Sequence, residues 1–241
     1  MKITFHICFF VWLCPLFCVG QNNAVVKVKI NPVFKGAELQ LGKTYALNEK
    51  ADSFQVTMLK FYVSNVKFIN DNAVAQEEKE SCHLMDAEEE ERLAFSCKQI
   101  KTDKYIGIQF GIGVDSAKNN AGILSGDLDP ANGMFWAWNT GYVSLKIEGN
   151  YIAKNSNKTA VDFHIGGYLS PYNTYRTVDL KFPQSRNISK KAEVVIEADV
   201  IKLFSGINLS ETFHVVIPGK EAMILADNYS KMFKIISVES E

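Results

Sequence analysis

The chain has 241 residues, of which 47% are apolar, 12% aromatic and 22% charged. This length and apolar content suit one domain with a substantial core and exclude a chain too polar to fold. A formal net charge of −1 gives no electrostatic reason to expect nucleic acid or an anionic membrane as partner.

Met1-Lys2 is followed by an uncharged run from Ile3 to Val19, most apolar at Phe9-Phe10-Val11-Trp12-Leu13, and then by Gly20. A basic start, an apolar stretch and a small-residue exit predict a secretory signal peptide over residues 1–20 and a single domain over 21–241. The apolar stretch is short for a membrane span. Cys18 raises a lipid anchor, but Phe17 stands where a small residue normally precedes a lipidated cysteine. The expected location is therefore the periplasm, with anchoring or full secretion as alternatives. Without residues 1–20, 25 basic side chains face 27 acidic ones, and Cys82 and Cys97 are the remaining cysteines. An even pair in an exported protein predicts one disulfide, stapling the segment between them.

Val-Lys-Val-Lys-Ile at 26–30 alternates as a half-buried strand does, and Pro32 is expected to end it or place it at an edge. Glu38–Leu41 gives a short alternating piece before a turn at Gly42-Lys43. The longest strand signal is Met58–Ile69, where the alternation of Leu59, Phe61 and Val63 resumes one residue out of phase at Val66 and Phe68. A bulge near Ser64-Asn65 accounts for that slip. Residues 70–96, with Glu77-Glu78-Lys79-Glu80 and Glu88–Glu91, read as a solvated excursion. Strands are predicted over 105–111, 141–148, 160–165, 175–182 and 193–203, a short helix over 226–233 and a final strand over 235–238. The fold class is all-β, an antiparallel β-sandwich with long loops and a short C-terminal helix.

Residues 113–141 have the Gly, Asn, Asp and Pro content of a loop, yet carry Met134, Phe135, Trp136 and Trp138. A long loop with bulky aromatics is either folded over the core or built for a site. At strand spacing the two indoles share a face, as an aromatic lid or a sugar-stacking platform would require. His164 lies at a strand end before Gly166-Gly167, His214 lies between Phe213 and Val215, and His83 follows Cys82. Each of them also suits an ordinary core or turn position. Asp127-x-Asp129 reads as turn-forming. No P-loop, G-x-S-x-G, G-x-G-x-x-G or H-E-x-x-H motif is present, so no catalytic residue is assigned and an enzyme is not expected.

Several stretches taken together resemble one family: Gly113-Val114-Asp115-Ser116, Leu128–Tyr142 (LDPANGMFWAWNTGY), Lys146-Ile147-Glu148-Gly149, His164–Tyr168 (HIGGY), Arg176-Thr177-Val178 and Ala226–Phe233 (ADNYSKMF). In that order they resemble the MbnP family of copper-binding periplasmic proteins, from about Val25 to Val238. The resemblance implies one copper ion held as Cu(I) in a β-rich fold outside the cytoplasm, serving copper homeostasis. The first Trp of a W-x-W motif is oxidised to kynurenine by a di-haem partner related to bacterial cytochrome c peroxidases (MbnH-type). Carried over, Trp136 is the modified residue, Trp138 the second Trp and His164 the best-matching ligand, with Asp115 and Arg176 as motif residues around them. Many relatives carry a His near the segment Asn31-Pro32-Val33-Phe34, where this chain has none. His214 is the first candidate to fill that gap and Met134 the second. The chain is expected to act as a monomer. The rival reading is a surface or periplasmic binding module without metal, for example for a glycan.

Overall fold

The structure is a computed structural model that describes residues 23–48, 52–137, 141–154 and 158–241. The predicted signal peptide of residues 1–20 and the position of Trp138 lie outside the described residues. The first half of the chain forms β1 (Asn23–Phe34), β2 (Ala37–Glu38), β3 (Thr44–Ala46), β4 (Ser53–Asn70), β5 (Ala75–Glu77), β6 (Cys82–Asp86), β7 (Ala94–Lys101), β8 (Asp103–Ile112) and helix α1 (Ser116–Asn120). The second half forms β9 (Phe135–Trp136), β10 (Gly141–Ile152), β11 (Lys158–Gly166), β12 (Arg176–Ile188), β13 (Lys191–Asp199), β14 (His214–Val215), helix α2 (Lys220–Tyr229) and β15 (Phe233–Ser240).

Two sheets result. The smaller runs β15-β13-β1-β2, with β7 also on β1. The larger runs β12-β8-β4-β10-β11-β14, with β3, β5 and β6 also on β4 and β9 on β10. Alternation along β1 turns Ala24, Val26, Val28 and Ile30 into the interior. With Val194 and Ile196 of β13 they join one apolar core with Leu59 and Phe61 of β4, Ile147 of β10, and Phe163 and Ile165 of β11. Phe233 at the start of β15 meets Phe110 edge-on with ring centroids 5.3 Å apart and Phe61 at 6.0 Å. These contacts join the two sheets of the predicted sandwich.

Two strand pairs depart from an antiparallel arrangement. β1 runs parallel to β13 from Val25↔Lys191 to Val33↔Asp199, and β14 runs parallel to β11. Strands so far apart in sequence are not joined by a hairpin, so nothing local sets their direction. Pro32 lies inside β1 instead of ending it. The β7 ladder on that strand stops at Lys29, so the missing proline N–H interrupts no pairing there. The expected bulge is present: the β4–β8 register shifts between Ser64 and Lys67, and Asn65 takes a positive φ of 51°.

The excursion at 70–96 is more ordered than its charge suggests. It carries β5, β6 and a 3-10 turn at Glu90–Leu93, with Leu84 and Met85 buried. The disulfide predicted from Cys82 and Cys97 is not formed, and both thiols are free. Cys82 pairs across from Ser64 in the larger sheet, whereas Cys97 pairs across from Val26 in the smaller. Burial pushes the Cys82 thiol up to about 12 and the Cys97 thiol higher still, so both stay protonated at neutral pH. Helix α2 begins earlier than predicted, after Gly219. Ala222, Leu225, Ala226 and Tyr229 form its buried stripe at helical spacing.

Candidate metal centre

The loop between β8 and β10 folds back over the outer face of the larger sheet. Ser64 on β4 donates its hydroxyl to the Gly113 carbonyl at 2.7 Å, which pins the start of the loop. Asp115 caps α1 by accepting from the Lys118 N–H at 2.9 Å, and also accepts from Asn65 Nδ2 at 3.2 Å. These donors and Lys118 outweigh its burial and hold its carboxyl below the usual range. Asn119 donates to the Val114 carbonyl at 2.8 Å and accepts the Tyr142 N–H at 2.9 Å. Asp127 accepts the Leu84 N–H at 3.0 Å, and Asp129 caps the next turn through the Ala131 N–H at 2.8 Å. Gly133, at φ 73°, makes the left-handed exit from that turn and returns the chain to β9.

Beneath this loop lies a second apolar cluster made of Tyr62, Leu84, Val114, Leu128, Met134, Trp136, Tyr142 and Val143. Tyr62 donates to the Asp127 carbonyl at 2.9 Å, and Tyr142 donates within reach of the Leu128 carbonyl at 3.0 Å. Burial raises the pKa of both phenols, so they serve as donors that tie the loop down. Replacing Asp115 by alanine removes the cap and is expected to cost about 1 kcal/mol, read as a drop in chemical-denaturation midpoint.

Trp136 is only 7% exposed. Its strand β9 pairs with β10 through Trp136↔Gly141, which carries the indole over the end of β11. A Cβ placed on Gly166 would lie 2.7 and 2.8 Å from indole Cζ3 and Cη2 and 3.0 Å from the Tyr142 carbonyl oxygen. Glycine at 166 is therefore the seat of the ring. Along β11, Val161, Phe163 and Ile165 point into the main core, and Asp162, His164 and Gly166 face outward. Gly166, on which the Trp136 ring sits, and His164 thus share one face, two residues or about 7 Å apart along the strand.

His164 places Nε2 2.8 Å from Glu148 Oε1 on β10, and Lys146 Nζ lies 3.3 Å from the same oxygen. Burial first, then Lys146, holds the imidazole below its ordinary value despite Glu148. Burial of Glu148 is outweighed by its bonds to His164 and Lys146, so its carboxyl sits below the usual range. Both shifts carry the same sign. The folded state binds each proton later than the unfolded chain, so stability is full above about pH 6.5 and falls through His164 first and Glu148 next. Thermal midpoints measured at about pH 7.5, 5.5 and 4 should decrease in that order.

The remaining predicted residues separate. Met134 is fully buried in the same cluster as Trp136. His214 sits opposite Asp162, with a side chain 58% exposed and Nδ1 3.5 Å from the Asp162 carboxylate. That row is four residues from Gly166, about 13 Å along the strand, so His214 is not brought to Trp136. Asn31 to Phe34 belong to β1 in the opposite sheet, with the main core between them and the His164 face. A histidine missing there takes nothing from this face. Arg176 donates to Asp227 at 2.7 Å and to the carbonyls of Asn173 and Tyr175 at 2.9 Å, locking α2 to the loop before β12. Gly166, Glu148 and Tyr142 stand in the family-like stretches of the sequence without an assigned role, and Tyr62 lies outside those stretches. Gly166-Gly167 directly after His164 was the available signal for the first of these.

The described residues hold no group of three or more His, Cys, Asp or Glu side chains able to cage a metal. A soft, low-coordinate ion needs fewer ligands, and the His164 imidazole suits such an ion. Among solved structures, MbnP from Methylosinus trichosporium matches with a TM-score of 0.57 at 15% identity, over 90% of this chain and 98% of that one. At that identity the likeness establishes the fold. No curated protein matches the sequence. The MbnP family model matches residues 23–224. The matched span contains Trp136, Gly166 and His164, and the chain belongs to the MbnP family, which is associated with copper.

Proposed function

We propose that this protein is exported and holds one Cu(I) ion outside the cytoplasm as a non-catalytic copper-handling protein. Trp136, oxidised to kynurenine by a di-haem partner, and His164 are its ligands. The observation that carries the reading is the placement of the Trp136 indole on Gly166, on the same sheet face as His164, within a family associated with copper. Kynurenine brings an aniline nitrogen and a carbonyl where indole offers no ordinary donor. An imidazole is a suitable partner for Cu(I). Burial in the cluster of Tyr62, Met134 and Tyr142 would keep the modified ring fixed and screened from water.

The glycan reading draws less support from the same geometry, because a stacking platform must show its face and Trp136 is almost covered. The test is to produce the exported chain together with the di-haem partner and measure bound copper and intact mass. The reading expects about one copper per chain and a gain of about 4 Da at Trp136. A metal-free product with unmodified Trp136 overturns it. His164→Ala should abolish copper binding. His214→Ala should leave affinity within about twofold in a chelator competition, because loss of a distant, exposed side chain is nearly neutral.

A further inference from the structure

We infer that Glu148 is the positioning residue that fixes the tautomer of His164, so that Nδ1 is the nitrogen offered to the metal. This rests on the copper reading above. The geometry is specific. On β10, Lys146 is the register partner of His164 and Glu148 the partner of Asp162, so Glu148 reaches His164 diagonally across the ladder. Its Oε1 receives His164 Nε2 at 2.8 Å and Lys146 Nζ at 3.3 Å. An ionised carboxylate only accepts hydrogen bonds, so the nitrogen facing it must carry the proton. A neutral imidazole protonated at Nε2 has its lone pair on Nδ1. That nitrogen has no hydrogen-bond partner among the described residues.

The arrangement also selects the ring's orientation. The row of Glu148 and Asp162 lies on the far side of His164 from Gly166 and the Trp136 ring. Nε2 is therefore directed away from the indole, while Nδ1, nearer the backbone, remains for an ion between the two side chains. A carboxylate on the second ring nitrogen is the usual outer support of a metal-binding histidine. Removing such a group typically lowers metal affinity by about 10–100-fold. Lys146 in turn holds the carboxylate in place through the shared oxygen.

The experiment has two readouts. Long-range proton–nitrogen correlation spectra of the metal-free chain report the tautomer without copper. The wild type should show His164 protonated at Nε2, and Glu148→Gln should shift it toward a mixture or toward Nδ1–H. In chain produced with the di-haem partner, Glu148→Gln should weaken Cu(I) binding by about 10–100-fold in chelator competition, and Glu148→Asp should recover part of it. An Nδ1–H tautomer in the wild type overturns the inference, as does Glu148→Gln leaving both tautomer and affinity unchanged. A wild type with the expected tautomer that binds no Cu(I) overturns the copper reading and with it the ligand role of Nδ1. The tautomer spectrum distinguishes these two failures.

Discussion

Gly166→Val is expected to unseat Trp136 and so to stop its proposed oxidation to kynurenine. Even the first carbon of a new side chain would stand 2.7 Å from Cζ3 and 2.8 Å from Cη2 of the indole, with the Tyr142 carbonyl at 3.0 Å closing the other side. The ring belongs to the buried cluster that also holds Tyr62, Met134 and Tyr142, which leaves little free space around it. Overfilling a packed site of this kind costs about 1–3 kcal/mol. The effect on chemistry should exceed the effect on stability. A reacting group misplaced by about 1 Å can lose about 10²-fold in rate, so the yield of kynurenine in co-production should collapse while the fold persists. Intact mass and a thermal melt on the same sample check both halves. Full modification of the valine variant would show that the indole does not depend on this seat.

The second large effect is on the fold. Phe110→Ala removes a ring that is 1% exposed and lies edge-on to Phe233, the contact through which β8 of the larger sheet meets β15 of the smaller. Deleting a buried phenylalanine leaves a cavity that rigid strands on both sides cannot collapse, at a cost of about 3–5 kcal/mol. For a chain of this size that corresponds to a thermal midpoint lower by about 6–20 °C. A loss below about 1 kcal/mol would mean that the two sheets are held chiefly by other contacts.

The two regions respond differently because they are built differently. Phe110 belongs to the continuous core between the sheets, whereas Trp136 belongs to a smaller cluster on the outer face of one sheet. Asp115, Asp127 and Asn119 hold the covering loop by hydrogen bonds to backbone groups. Asp127, which the sequence presented as turn-forming, is thus one fastening of the loop, and Arg176 fastens α2 through the Asp227 carboxylate.

Period-two alternation by itself determined the strands, since a half-buried strand must alternate to satisfy core and solvent together. It also determined the bulge at Ser64-Asn65, because an extra residue is what shifts the phase. The ordered motifs around Trp136 determined the family. Tertiary structure alone decided the rest. Parallel pairing of β1 with β13 joins segments that no local turn connects. Cys82 and Cys97 look like a pair in the chain but stand in different sheets. His214 looked able to complete the site, and its register opposite Asp162 sets it about 13 Å from the Trp136 seat. The stretch Lys146-Ile147-Glu148-Gly149 did not reveal which side chain Glu148 meets, because its partner His164 lies 16 residues away on the next strand. Spacing along a chain fixes which face a side chain takes. Only strand register fixes which side chains on that face meet.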